Sequence, residues 1–151
     1  MLADSHCHLD PFDAPEKAVA AAQKAGVGKI LTNATGLESI GKSLALAKKP
    51  GAVKCALGIH PVNLLSMSKK EVGLAFALVE ENISGASAIG EVGMDFKAAS
   101  TPEQRGLQER VLRRFISLAI KHDKAIVVHA RWAEPQCLSI LEQRSAVRAH
   151  M

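Results

Sequence analysis

Short apolar, β-branched runs alternate with amphipathic stretches along this whole chain, and that alternation restricts the fold more than any other feature of the sequence. The runs are Leu2–His6, Lys29–Asn33, Val53–Ile59, Ala86–Val92, Ala125–His129 and Ala146–His150. Strand-length segments separated by helix-length segments imply βα units around a parallel sheet. The intervening helices carry their own start and stop signals. Ser68 with Glu71 and Thr101 with Gln104 are capping-box pairs, and Pro102 stands where a proline costs a helix nothing. In the segment that follows, Leu107, Val111, Phe115, Leu118 and Ala119 recur at helical spacing, while Arg105, Glu109, Arg113 and Lys121 fall elsewhere. One face of that helix is therefore expected to be buried. Earlier helices should stop at Gly26 and at Pro50-Gly51.

The 151 residues, 48% of them apolar, suit one α/β domain with one core, and no linker or repeat divides them. The start of the chain lacks the pattern of a signal peptide, and no apolar run approaches the roughly 20 residues that span a bilayer. The expected setting is the cytoplasm, away from membranes. Cys7, Cys55 and Cys137 are odd in number and far apart, which favours reduced thiols over a disulfide framework. A formal charge of +4 is compatible with a polyanionic partner without requiring one.

The unusual residues cluster after the predicted strands, on their C-terminal side. The segment DSHCHLD, Asp4 to Asp10, places two histidines and two carboxylates at even spacing. In extended backbone residues i and i+2 point to the same side, so His6 and His8 can present both imidazoles to one ion, with Cys7 turned away into packing. Glu91 in AIGEVGMDF and His129 in IVVHARW would add a carboxylate and a third imidazole from other strands. Such a nitrogen and oxygen set suits Zn, Mn, Fe or Mg rather than Ca. Asp4 or Asp95 could orient a ligating histidine. Each residue alone has a plain structural reading: His60 as a loop cap, Asp95 as a turn residue, Arg131 as a solvated cation, Glu91 as a strand end. What argues for a site is their joint placement, because parallel α/β sheets gather strand C-termini on one face.

The segments DSHCHLD, GIHP, GEVGMDF and HARWA, in this order between Asp4 and Ala133, resemble the TatD family of metal-dependent hydrolases, a group of deoxyribonucleases. The resemblance implies a TIM-type (β/α) barrel with two divalent metal ions (Zn, Mg or Mn) and hydrolysis of phosphodiesters in DNA, or RNA. By position it implies that His6 and His8 hold one metal, that Glu91 bridges both and that His129 holds the second. A later-strand histidine on that second metal would be His150 in AVRAHM, although Arg148 stands where the family is usually apolar. Arg131 would pair with phosphate oxygens and His60 would contact substrate or leaving group. The family's last acidic ligand, an Asp in a Thr-Asp pair, has no counterpart in these 151 residues. A full barrel takes about 250 residues. The expectation is thus an incomplete barrel of five or six of the eight βα units, completed by a missing C-terminal half or by a homo-oligomer. The competing readings are hydrolysis of another ester or amide on the same scaffold, and a truncated remnant without activity.

Overall fold

A computed structural model describes the backbone of residues 1–148 and the side chains of residues 1–143. Five strands, β1 (Leu2–Cys7), β2 (Val27–Asn33), β3 (Val53–Leu57), β4 (Ala88–Asp95) and β5 (Ala125–Arg131), form one sheet. Every neighbouring pair is parallel and the order across the sheet is the order along the chain. The result is half of a barrel, with helices crossing between consecutive strands. These are α1 (Pro15–Lys24), α2 (Leu37–Ala47), the short α3 (Pro61–Leu64), α4 (Lys69–Glu81) and α5 (Pro102–Lys121), and α6 (Glu134–Arg148) follows β5.

Local chemistry sets the boundaries. Both capping boxes form: the Ser68 hydroxyl accepts from the Glu71 N–H, and the Glu71 carboxylate accepts from the Ser68 N–H. Thr101 and Gln104 repeat the exchange at the start of α5, where Pro102 follows the cap. Gly26, at φ 93°, ends the turn after α1 in the left-handed region that glycine enters at little cost. The core lies between the sheet and helices α2, α4 and α5, where Leu57, Ile89, Val92, Leu112 and Phe115 are fully buried. Phe76 of α4 stacks on Phe115 of α5 with ring centroids 4.0 Å apart.

The strand expected over Ala146–His150 is not formed. Residues up to Arg148 continue α6, and His150 lies outside the described residues. Buried Cys137 and Ile140 anchor that helix on the core, and no glycine or proline interrupts it between Ile140 and Arg148. A single valine among alanine and arginine, both good helix formers, does not overturn a helix already anchored. β4 and β5 also run further than their apolar runs suggest, reaching Asp95 and Arg131. Glu91 and His129 therefore sit within strands. β1 is nearly all exposed and β4 buried throughout. Among the described residues, the outer edges of β1 and β5 have no partner strand.

Candidate metal centre

β4 is the spine of the site. Glu91, Gly93 and Asp95 share one side of the strand by its two-residue repeat. In register, Gly93 pairs with His129 of β5. Gly93 has φ 154°, and a Cβ built on it would collide with the His129 carbonyl oxygen. The missing side chain lets the strands close up, and the His129 ring fits between the two carboxylates. Its Nδ1 lies 3.0 Å from Glu91 Oε1 and its Nε2 3.1 Å from Asp95 Oδ2.

Glu91, 5% exposed, divides its carboxylate between two groups of imidazoles. Oε2 faces the end of β1, 3.2 Å from His6 Nε2 and 3.3 Å from His8 Nε2. Oε1 faces His129 Nδ1, with His60 Nε2 3.8 Å away. His6, His8 and Glu91 form one set of potential ligands, and His60, Glu91 and His129 a second. Buried Oε2 has no hydrogen-bond partner, despite two nitrogens within 3.3 Å. Ligand atoms directed at a common point, rather than at one another, have this geometry. The set fits a cation.

Proton positions sharpen the fit. His8 Nδ1 lies 2.8 Å from the Asn33 carbonyl oxygen. A carbonyl only accepts, so the proton sits on Nδ1 and the Nε2 lone pair is left for Glu91's side. His129 is bound the same way through Nε2–H to Asp95, leaving Nδ1 as the potential ligand. His60 differs: its Nδ1 accepts the Val62 N–H as the cap of α3, so the neutral ring carries its proton on Nε2. That nitrogen is a hydrogen-bond donor pointing into the site, 3.1 Å from His129 Nδ1.

The titration tendencies follow. Burial pushes His60 down and so favours the neutral ring, with the Glu91 charge opposing. His129 is raised, mainly by its hydrogen bond to Glu91, with burial opposing and Asp95 adding to the rise. Burial opposes ionisation of Glu91, yet the hydrogen bond from His129 and the charges of His60 and His6 hold it below the usual glutamate range. Asp95, 2% exposed, is likewise penalised by burial but held low by the Ala98 N–H and His129. The two flanking carboxylates thus favour the protonated form of His129.

Of the residues singled out in the sequence, the structure brings His6, His8, His60, Glu91, Asp95 and His129 together. Arg131 is exposed at the end of β5 and acts on Asp95 through its charge. Asp4 accepts from the His6 backbone N–H instead of orienting a ring. Cys7 turns away, its thiol donating toward the Leu31 carbonyl at 3.6 Å. Two residues escaped notice. Asn33 ends β2 and supplies the backbone carbonyl that orients His8, a contact with no signal in the residue pattern. Gln108, fully buried in α5, accepts from the Asp95 N–H at 3.0 Å and donates to the Pro61 carbonyl at 3.0 Å. A glutamine on the stripe that continues through Val111, Leu112 and Phe115 was the available signal.

No helix among the described residues is long and apolar enough to cross a membrane. A family model described as TatD related DNase matches residues 3–151. The metal-dependent hydrolase YjjV of Escherichia coli is 34% identical over 131 residues, covering 85% of this chain and 50% of the relative. Human deoxyribonuclease TATDN3 is 33% identical over 157 residues, covering 96% of this chain and 57% of the relative. The crystal structure of Escherichia coli YjjV, a TatD homolog, superposes with a TM-score of 0.81 at 30% identity, over 94% of this chain and 55% of that one. The chain spans about half the length of the curated relatives it matches.

Proposed function

Since the chain belongs to the TatD related DNase family, we propose that residues 1–151 are the N-terminal, metal-holding part of a (β/α)8 hydrolase that cleaves phosphodiester bonds in DNA. His6 and His8 with Glu91 Oε2 would hold one divalent cation, and Glu91 Oε1 with His129 Nδ1 a second, the ions being Zn, Mg or Mn. His150 is the proposed further ligand of the second. A cation held there supplies Lewis acidity toward a phosphoryl oxygen and makes water a competent nucleophile near neutral pH.

The chain's own groups do the rest. The Asn33 carbonyl and Asp95 hold His8 and His129 in the tautomers that leave one lone pair free. His60, neutral and with its proton on Nε2, donates to an oxygen of the substrate or leaving group. Arg131, exposed beside the site, pairs with non-bridging phosphate oxygens, to which its planar fork is matched. DNA as substrate is supported by the family description, by the name of the human relative and by the formal charge of +4. The remaining acidic ligand and the strands that close the barrel are assigned to a C-terminal half or to a second chain. The three free thiols suit a reducing, cytoplasmic setting.

The observation that carries this reading is the divided carboxylate of Glu91, with one oxygen toward each group of histidines. The experiment pairs titration of the chelator-treated protein with Zn or Mn, followed by calorimetry, with hydrolysis of labelled DNA. Wild type should bind cation and cleave, weakly while the rest of the barrel is missing, and Glu91→Gln should do neither. Equal cleavage by the two proteins, or no binding by wild type, overturns the reading. Cleavage of small esters or amides but not of DNA moves the substrate to another class.

A further inference from the structure

Trp132 occupies the turn between β5 and α6, three residues past His129, and breaks two local preferences at once. Its φ of 57° lies in the left-handed region, which a bulky aromatic residue rarely enters. The residue is also 66% exposed, although indole is among the largest apolar surfaces a chain can bury. The residues on either side are fixed. The Arg131 carbonyl accepts from the Phe96 N–H at 2.9 Å, and Ala133 is fully buried, its carbonyl accepting from the Cys137 N–H at 2.9 Å. The turn therefore needs the left-handed conformation at residue 132, for which glycine or asparagine would serve better. It does not need an indole. Such an outlier beside a functional site points to a use for the side chain.

Its surroundings indicate the ligand. The Lys97 ammonium lies 5.9 Å from the ring centroid, near the outer limit of a cation–π contact. Arg131, also exposed, is the preceding residue. An exposed aromatic face with one cation near its ring and another on the adjacent residue, at the C-terminal end of the strands that carry Glu91 and His129, combines the two elements that hold single-stranded nucleic acid: stacking for a base and positive charge for its phosphates.

Building on the phosphodiesterase reading, we propose that Trp132 is the stacking platform for an unpaired base of the substrate, beside the scissile phosphate, with Lys97 and Arg131 on the flanking phosphates. An indole offers neither a metal ligand nor a proton for acid–base chemistry near neutral pH, so Trp132 binds substrate without taking part in the bond changes. Double-stranded ends would have to fray to reach it.

The chain has one tryptophan and no tyrosine, so its intrinsic fluorescence reports this ring alone. The test titrates the Mg-loaded 151-residue protein with phosphorothioate octathymidylate, which resists cleavage, and with an abasic octamer of equal charge. The expected result is saturable quenching by octathymidylate and about tenfold weaker binding, without quenching, by the abasic strand. Trp132→Leu should bind octathymidylate about tenfold more weakly, while Trp132→Phe keeps most of the affinity and both keep wild-type Zn binding. Equal affinity for the two strands, or unchanged affinity in Trp132→Leu, overturns the proposal. So does an indole already shielded from aqueous quenchers in a dimer that octathymidylate does not displace. Cleavage of ordinary octathymidylate is measured alongside. Cleavage without stacking leaves the phosphodiesterase reading standing and removes the platform, whereas stacking without cleavage does the reverse.

Discussion

β4 and β1 deliver ligands to the same centre from opposite mechanical situations. β4 is buried along its whole length, paired on both sides, and carries Glu91 and Asp95 inside the strand. β1 is an edge strand with five of its six residues exposed, and its pairing to β2 shifts register twice before His8. The half of the site built on β4 and β5 is held by the core. The half built on His6 and His8 is held by an exposed edge, a few hydrogen bonds near its end (among them His8 Nδ1 to the Asn33 carbonyl, the Leu9 N–H to Thr32 Oγ1 and the Asn33 side-chain amide to the Cys7 carbonyl) and buried Leu9. Ligand identity alone does not show this asymmetry, because both halves contribute imidazoles to one glutamate.

Backbone substitutions should separate the two regions most strongly. Gly93→Ala drives a methyl into the His129 carbonyl at a positive φ, and is expected to lower stability by about 3 kcal/mol or more, or to abolish folding. Gly28→Ala in β2 meets only the flexible, exposed end of Met1, and should change stability by less than about 1 kcal/mol. Urea midpoints of the two variants check the contrast, and equal losses would show that closeness at β4–β5 is not special.

The next largest effect concerns cation affinity. Asp95→Asn frees the His129 ring without touching His6 or His8, so one class of site should weaken by about 10- to 100-fold and the other stay near wild type. His8→Ala should do the converse. Calorimetric titration that shows both classes falling together in both variants would mean the two groups do not act separately.

Gln108→Leu tests what holds the strong half. It leaves the Asp95 N–H and the Pro61 carbonyl without partners inside the core, and should cost about 2 to 4 kcal/mol. Hydrogen exchange should then open the Pro61–Leu64 turn and the end of β4 before β1 changes. In the unaltered protein the order is reversed, with β1 amides exchanging first. The exposed edges of β1 and β5 also predict self-association at micromolar concentration, which sedimentation would detect.

The smallest effect falls on Cys7. Burial, helped by the Asp4 charge, pushes its thiol up to about 11. At pH 7 to 8 it stays protonated and should react slowly with thiol reagents, although it lies between two ligand candidates. Cys7→Ser is expected to change cation affinity by less than about twofold, measured by the same titration.

The sequence made the sheet legible because five apolar runs alternate with amphipathic segments, two of them opened by capping boxes, and the ligand candidates because each falls late in an apolar run or just after it. Two things were hidden for a physical reason. Backbone groups carry no sequence signature, so the Asn33 carbonyl that fixes the His8 tautomer could not be read from a residue pattern. Gln108 stands on the buried helical stripe, but its partners in β4 and in the turn after His60 lie across sequence separations that no local periodicity encodes. The end of α6 differs from the expected strand because the anchoring of Cys137 and Ile140 upstream outweighs a lone valine between an alanine and an arginine.

Strand order has a temporal consequence. Because each strand lies beside the one made just before it, the sheet can lengthen at a single growing edge as the polypeptide leaves the ribosome, at about 5 to 20 residues per second. His6 and His8 emerge first and wait for Glu91, and the first ligand set is complete once β4 docks. His129 follows some seconds later. A nascent chain could thus capture one ion before the place for the other exists, and cation-dependent protease resistance of ribosome-arrested chains, ending before and after β5, would reveal that order.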